Sequence, residues 1–257
     1  MRPWRLADAD WNSWPDGLTD PQVFDQTAEF GLAGVELGVY DAAVELAPER
    51  LAVLARQAVP VVAVLLSLPE QRWPDGALSG DLDRLLGQVA ACADACRALG
   101  LPVLGLWPGA DPVGADVVDG LRRCVAAAGD VRLAVEPKPG TAVATATEAV
   151  ALCRQVPGAG VLLDTGHAFA AGDDPAADVD RLGPLLLHCH LGDAAVGGSD
   201  DDLPCGRLHD FAPLVAALDA SGFAGVASFD LYGAVSSGGW TGLQAVRESR
   251  DHVRSRS

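Results

Sequence analysis

The sequence predicts a single (β/α)₈ barrel over residues 1–257, and three observations carry that expectation. Short apolar runs alternate with longer amphipathic segments, the pattern of a repeated βα unit. Eight such runs can be traced, counting a weak first one. Glycine recurs just ahead of them, where a helix must stop and the chain turn back into a sheet. A chain of 257 residues also suits one α/β barrel, which occupies roughly 250 residues.

The first strand is the weak one, around Trp4 to Asp10. It is followed by Gly34–Gly38 (GVELG), Val59–Leu68 (VPVVAVLLSL), Leu101–Trp107 (LPVLGLW) and Val131–Glu136 (VRLAVE). Gly160–Asp164 (GVLLD), Pro184–His190 (PLLLHCH) and Gly225–Asp230 (GVASFD) complete the set. Three of the intervening helices are marked most clearly. Asp81–Leu99 is amphipathic and closes on Gly100, Thr141–Val156 stops at Pro157-Gly158, and His209–Ser221 stops at Gly222. No GxGxxG follows an early strand, so a dinucleotide-binding open sheet lacks its main signature. No linker-like stretch divides the chain, and Gly192–Cys205 reads as a long βα loop near the active face.

Composition narrows the function. The chain is 49% hydrophobic, enough for a sizeable core, without an apolar run that would span a membrane. The start, MRPWRLADADWNSW, has no apolar stretch of signal-peptide type, so a cytoplasmic protein is expected. The net charge is −17, and Lys138 is the single lysine among 18 basic residues. Such a surface repels phosphate backbones and argues against nucleic acid as a partner. Six cysteines are scattered with no CxxC pair, and small buried thiols are the expected reading.

The chemistry is expected where strands end and βα loops begin, because barrel enzymes place their working side chains there. Four consecutive strands end in a metal-competent group: Glu136, Asp164, His190 and Asp230. One acid after a strand is ordinarily a helix cap or a solvated loop residue. Four in succession are harder to explain that way. Three carboxylates and an imidazole suit one divalent ion, Mn²⁺ foremost, with Mg²⁺, Co²⁺ or Zn²⁺ also compatible.

At GVELG, VEPKPG, LLDTGHAFAAGD, HCHLGD and GFAGVASFD the sequence resembles the xylose isomerase-like TIM barrels. That family includes sugar isomerases, epimerases and apurinic endonucleases of the endonuclease IV type. DTGHAFAAG is the most specific stretch and HLGD supports it. The resemblance implies metal ligands at Glu136, Asp164, His190 and Asp230. Glu136 and Asp230 would be the paired acid/base groups flanking the substrate. The family has glutamate at the last position. Aspartate is one methylene shorter, which leaves two readings: contact through water, or a site that has lost its base.

By the same resemblance His167, three residues past Asp164, contacts a substrate oxygen; the ordinary alternative is a solvent-facing helix-start histidine. Asp193 and Glu36 are candidates to orient ligands or bind substrate hydroxyls, and either would equally serve as a structural acceptor. Arg207 would anchor a polar or anionic substrate end, or sit in a surface ion pair. Trp107, Trp11 and Trp14 share one rim and would form an apolar wall over a sugar, or simply pack loops. Strand alternation puts His188 on the same face as His190, as a packed neighbour of the ligands in preference to a second histidine ligand.

The expected function is a metal-dependent isomerase or epimerase of a small polyhydroxy carbonyl compound, working by proton transfer through a metal-stabilised enediolate. The partner is then a small sugar-like molecule, and the resemblance leaves room for a homo-oligomer. A non-catalytic sugar-binding barrel is the main alternative. A lyase or dehydratase would share the first proton transfer. A three-metal phosphodiesterase would need histidines that the early strands lack.

Overall fold

A computed structural model describes residues 3–109, 111–198 and 201–256. Eight parallel strands close into a barrel in sequence order, with β8 pairing back onto β1. The strands are β1 (Arg5–Ala9), β2 (Val35–Val39), β3 (Val61–Ser67), β4 (Val103–Trp107), β5 (Arg132–Val135), β6 (Ala159–Asp164), β7 (Leu186–Leu191) and β8 (Val226–Phe229). The eight expected strands are all present, with ends shifted by one or two residues.

Around them lie α1 (Asp20–Glu29), α2 (Ala42–Glu45), α3 (Pro48–Leu54), α4 (Leu82–Leu99), α5 (Val118–Ala128) and α6 (Ala146–Gln155). After β6 come α7 (Thr165–Ala171) and α8 (Pro175–Leu182), and the chain ends through α9 (Ala212–Ser221), α10 (Tyr232–Ser236) and α11 (Gly242–Ser255). Gly100 and Gly222 end α4 and α9 at positive φ, as the sequence predicts. The second clear helix is shorter than expected. It starts at Thr145, whose side chain and that of Glu148 form a reciprocal cap, so residues 141–144 stay outside it.

Alternation along each strand divides the side chains between two compartments. Val35, Leu37 and Val39 face the helices and join the main apolar layer, while Glu36 and Gly38 face the barrel axis. Inside, Ala9, Leu65, Ala134 and Leu162 pack together beneath Trp11. All six cysteines are buried and unpaired. No helix among the described residues is long and apolar enough to cross a membrane.

The loop over 192–205 is tied back on itself by an antiparallel bridge between Asp193 and Leu203. Ser199 and Asp200 of that loop lie outside the described residues.

Asp10, in the turn that leaves β1, is buried with its Oδ1 accepting the Gly38 N–H at 2.9 Å. Arg50 approaches its other oxygen only to 3.6 Å. Burial pushes the carboxyl up to about 8, against the pull of the Gly38 hydrogen bond and Arg50. Between the ordinary carboxylate range and that value, the folded chain holds a proton that the unfolded chain has released. This contribution to stability is therefore lost as pH rises through that window. Asp10→Asn should become steadily more stable relative to wild type as pH is raised from about 5 to 8. Urea midpoints that run parallel with pH in the two proteins would refute the assignment.

Candidate metal centre

The strand ends bring the four expected groups together. One ligand-capable atom from each of Glu136, Asp164, His190 and Asp230 lies within 4.8 Å of all the others. Each arrives by a simple route: β6 ends on inward-facing Asp164, His190 is the last residue but one of β7, and β5 and β8 are each followed by an inward-facing acid. Asp164 also caps α7, its Oδ1 accepting the His167 N–H at 2.8 Å. Its Oδ2 faces His190 Nδ1 at 3.7 Å.

His190 is the centre of the arrangement. Its side chain is wholly buried, and Nδ1 has no hydrogen-bond partner. That nitrogen faces Glu136 Oε1 at 3.7 Å, Asp164 Oδ2 at 3.7 Å and Asp230 Oδ2 at 3.5 Å. These separations are too long for hydrogen bonds and match the spacing of ligands around a shared ion. An orphaned buried nitrogen aimed at three carboxylates fits a divalent cation well. The other nitrogen, Nε2, is committed below to Glu36, 3.3 Å away.

Glu36 has no exposed surface and sits between two imidazoles, with His188 Nε2 at 2.7 Å on its other side. A carboxylate accepts only, so it fixes a proton on the facing Nε2 of each histidine and leaves Nδ1 of His190 for the centre. Burial raises Glu36, but the two imidazoles more than offset this and hold it far below the usual carboxylate range. Burial disfavours the charged form of His190, yet Glu36 and the surrounding acids raise it well above the ordinary value. Asp164 is lowered: burial opposes ionisation, and His167 and His190 overcome it. Asp230 goes the other way, to about 6. Burial leads, and Asp164 and Glu136 reinforce it against the pull of His190.

Above this floor opens a cavity of about 380 Å³, with Glu136, His167 and Asp230 on its surface. Trp11, Trp14, Tyr40, Trp107 and Tyr232 wall it with aromatic faces. The His167 ring is largely buried rather than solvent-facing, its Nδ1 3.1 Å from the Pro137 carbonyl and 3.3 Å from Glu136 Oε1. Trp107 carries the Lys138 ammonium 4.6 Å from its ring centroid.

Three expected substrate contacts lie away from the cavity. Glu36 is beneath the ligands, where its orientation toward β7 makes it a partner of the histidines. Asp193 is fully buried and accepts the Leu208 and His209 N–H groups and the His209 ring nitrogen, so it braces the loop after β7. Arg207 pairs with Glu248 and lies over the Trp240 ring, on the surface.

The sequence left several cavity residues unread. Tyr40, Gln71 and Asp202 come from loops, and Tyr232 from the start of the short α10, none of which the strand pattern defines. Asp202 adopts a positive φ of 40°, uncommon for a non-glycine residue, and its Oδ2 accepts the Gly233 N–H at 2.9 Å.

The chain belongs to the xylose isomerase-like TIM barrel family, whose model matches residues 24–256. Its fold is similar to that of D-allulose 3-epimerase from Methylomonas sp., solved in complex with D-allulose. That match has 16% identity and a TM-score of 0.78, over 100% of this chain and 98% of the other. It is also similar to L-ribulose 3-epimerase, at 18% identity and TM-score 0.77 over 98% and 94% of the two chains. A third is the IOLI protein with a binding zinc atom, at 16% identity and TM-score 0.75 over 98% and 97%. No curated protein sequence matches the chain.

Proposed function

We propose that this chain, as one domain, is a divalent-metal-dependent isomerase or epimerase of small polyhydroxy carbonyl compounds, working in a reducing cytoplasm. The observation that carries the reading is the orphaned Nδ1 of His190 facing three carboxylates at the floor of an aromatic-walled cavity. Glu136, Asp164, His190 and Asp230 would hold the ion, Mn²⁺ foremost. When bound, such an ion polarises a carbonyl and acidifies the neighbouring C–H.

The protein's own groups divide the remaining work. Glu136, at the cavity surface, removes the proton beside the carbonyl, and the enediolate is reprotonated from the other side by Asp230. His167, packed against Glu136, contacts a substrate hydroxyl through its remaining nitrogen, which accepts while Nδ1 donates to the Pro137 carbonyl. The aromatic walls, Trp107 among them, take the apolar C–H faces of a sugar and exclude water. The sugar-epimerase activity printed for two similar folds supports a ketose as the substrate class.

The test begins with elemental analysis of protein purified without a histidine tag or chelator. About one divalent ion per chain is expected, held by the three carboxylates and one imidazole, because the neighbouring group of Glu36, His188 and His190 shares His190 and is closed by its own hydrogen bonds. Solvent deuterium should then enter a ketose at the carbon beside its carbonyl. A chain that takes up no ion even after dialysis against Mn²⁺ would make the non-catalytic binding reading the better one.

A further inference from the structure

Asp230 is one methylene shorter than the glutamate the family resemblance implies at this position, and the structure surrounds it with hydrogen bonds from one distant turn. Residues 10–13 form a single 3₁₀ turn where β1 ends. Trp11, in that turn, donates its indole N–H to Asp230 Oδ1 at 2.8 Å. Asn12, the next residue, grips the backbone on both sides of Asp230. Its amide nitrogen donates to the Phe229 carbonyl at 2.8 Å, and its amide oxygen accepts the Leu231 N–H at 2.8 Å. Asn12 is itself fully buried and held by Asp8, whose Oδ1 accepts from the same amide nitrogen at 3.0 Å.

Three hydrogen bonds from two consecutive residues thus fix both the backbone and the carboxylate of Asp230. We propose that Trp11 and Asn12 are positioning residues that hold Asp230 so that only its Oδ2 is offered to the metal centre. The proposal rests on the metal reading above and adds to it a cause for a short aspartate working at this position. With Oδ1 engaged by Trp11, Oδ2 is the oxygen turned to His190 Nδ1 at 3.5 Å. A carboxylate held by one oxygen gives one ligand atom in a fixed direction, and loses little rotamer freedom when the ion arrives.

The seat of Trp11 is made by Gly38. A Cβ at that position would meet Trp11 Cε3 at 2.8 Å and Trp14 Cη2 at 3.1 Å, closer than side chains pack. The missing methyl at the end of β2 is therefore what lets the indole lie flat enough to reach across to β8. Trp11 also meets the His190 ring edge-on, with centroids 5.6 Å apart, so the indole borders two ligands at once.

The experiment is Mn²⁺ titration by calorimetry of wild type, Trp11→Phe and Gly38→Ala, with the bound-Mn²⁺ electron paramagnetic resonance spectrum of each. Phe keeps an aromatic ring and removes the donor; the glycine change keeps the donor and displaces the ring. Both should weaken Mn²⁺ binding by about 10-fold or more, as loss of a ligand's orienting partner typically does, and both should alter the spectrum of the bound ion. The Trp11 indole N–H resonance, identified by its absence in Trp11→Phe, should shift in Asp230→Asn without any ion present. That readout stands even if one variant folds poorly. Wild-type affinity and spectrum in both variants, alongside normal binding by the parent, would overturn the positioning role alone. Failure of the parent to bind Mn²⁺ at all would overturn the metal reading and the role built on it.

Discussion

Glu136→Gln is expected to abolish nearly all turnover while leaving the fold intact. A positioned base contributes about 10²–10⁴-fold to a proton transfer, and an amide cannot take its place. Gln matches Glu in size and keeps one carbonyl oxygen toward the centre, so the cavity shape is retained. Because Glu136 is also a proposed ligand, Mn²⁺ affinity has to be measured beside the rate. A large fall in rate at saturating Mn²⁺ is the expected result. Full turnover in the ion-loaded variant would show that the proton is taken elsewhere.

The second large effect is expected from His190→Ala. This change removes the only nitrogen in the four-residue cluster and leaves three acids facing one another around a void. Mn²⁺ binding should weaken by more than about 100-fold, beyond the range usual for outer partners of a ligand. The substitution also strips Glu36 of one of its two imidazoles in a fully buried position. An underpaired buried carboxylate costs about 1–3 kcal/mol, so the ion-free variant should also melt earlier than the ion-free parent. Retention of Mn²⁺ at parental affinity would remove His190 from the ligand set.

The barrel was legible because its strands are apolar runs bounded by glycine and acid, and burial inside a closed parallel sheet demands that composition. The clustering of Glu136, Asp164, His190 and Asp230 was legible for a related reason. Strand ends converge at one face of a barrel, so four polar residues at four successive ends must be neighbours. What could not be read depends on contacts distant in sequence. Glu36 and His188 are 152 residues apart, and nothing in GVELG or HCH says that one carboxylate would lie between the two imidazoles. Asp193 and Arg207 fall in a loop whose folded path decides their roles, one turned inward to the loop's own backbone and the other outward to Glu248. Asn12 lies between Trp11 and Ser13 in the turn after β1 and has no pattern of its own; only the closure of β1 on β8 gives it a purpose.

That closure has a consequence for how the protein comes into being. The Trp11–Asp230 hydrogen bond spans 219 positions, and the partners of Asn12 lie equally far away. On a ribosome, the segment carrying Asp230 appears only after β1 to β8 have been made. Three of the four ligands would by then be available on β5 to β7, while the fourth waits for the first strand to meet the last. The finished centre is thus a signature of a barrel that has closed. An ion that prefers the finished centre adds its binding energy to the closed form and withholds it from every partly wound one. Long-range contacts of this kind form late and slowly. On the proposed metal reading, cation capture would then be the last act of folding, a seal set on the join between β1 and β8.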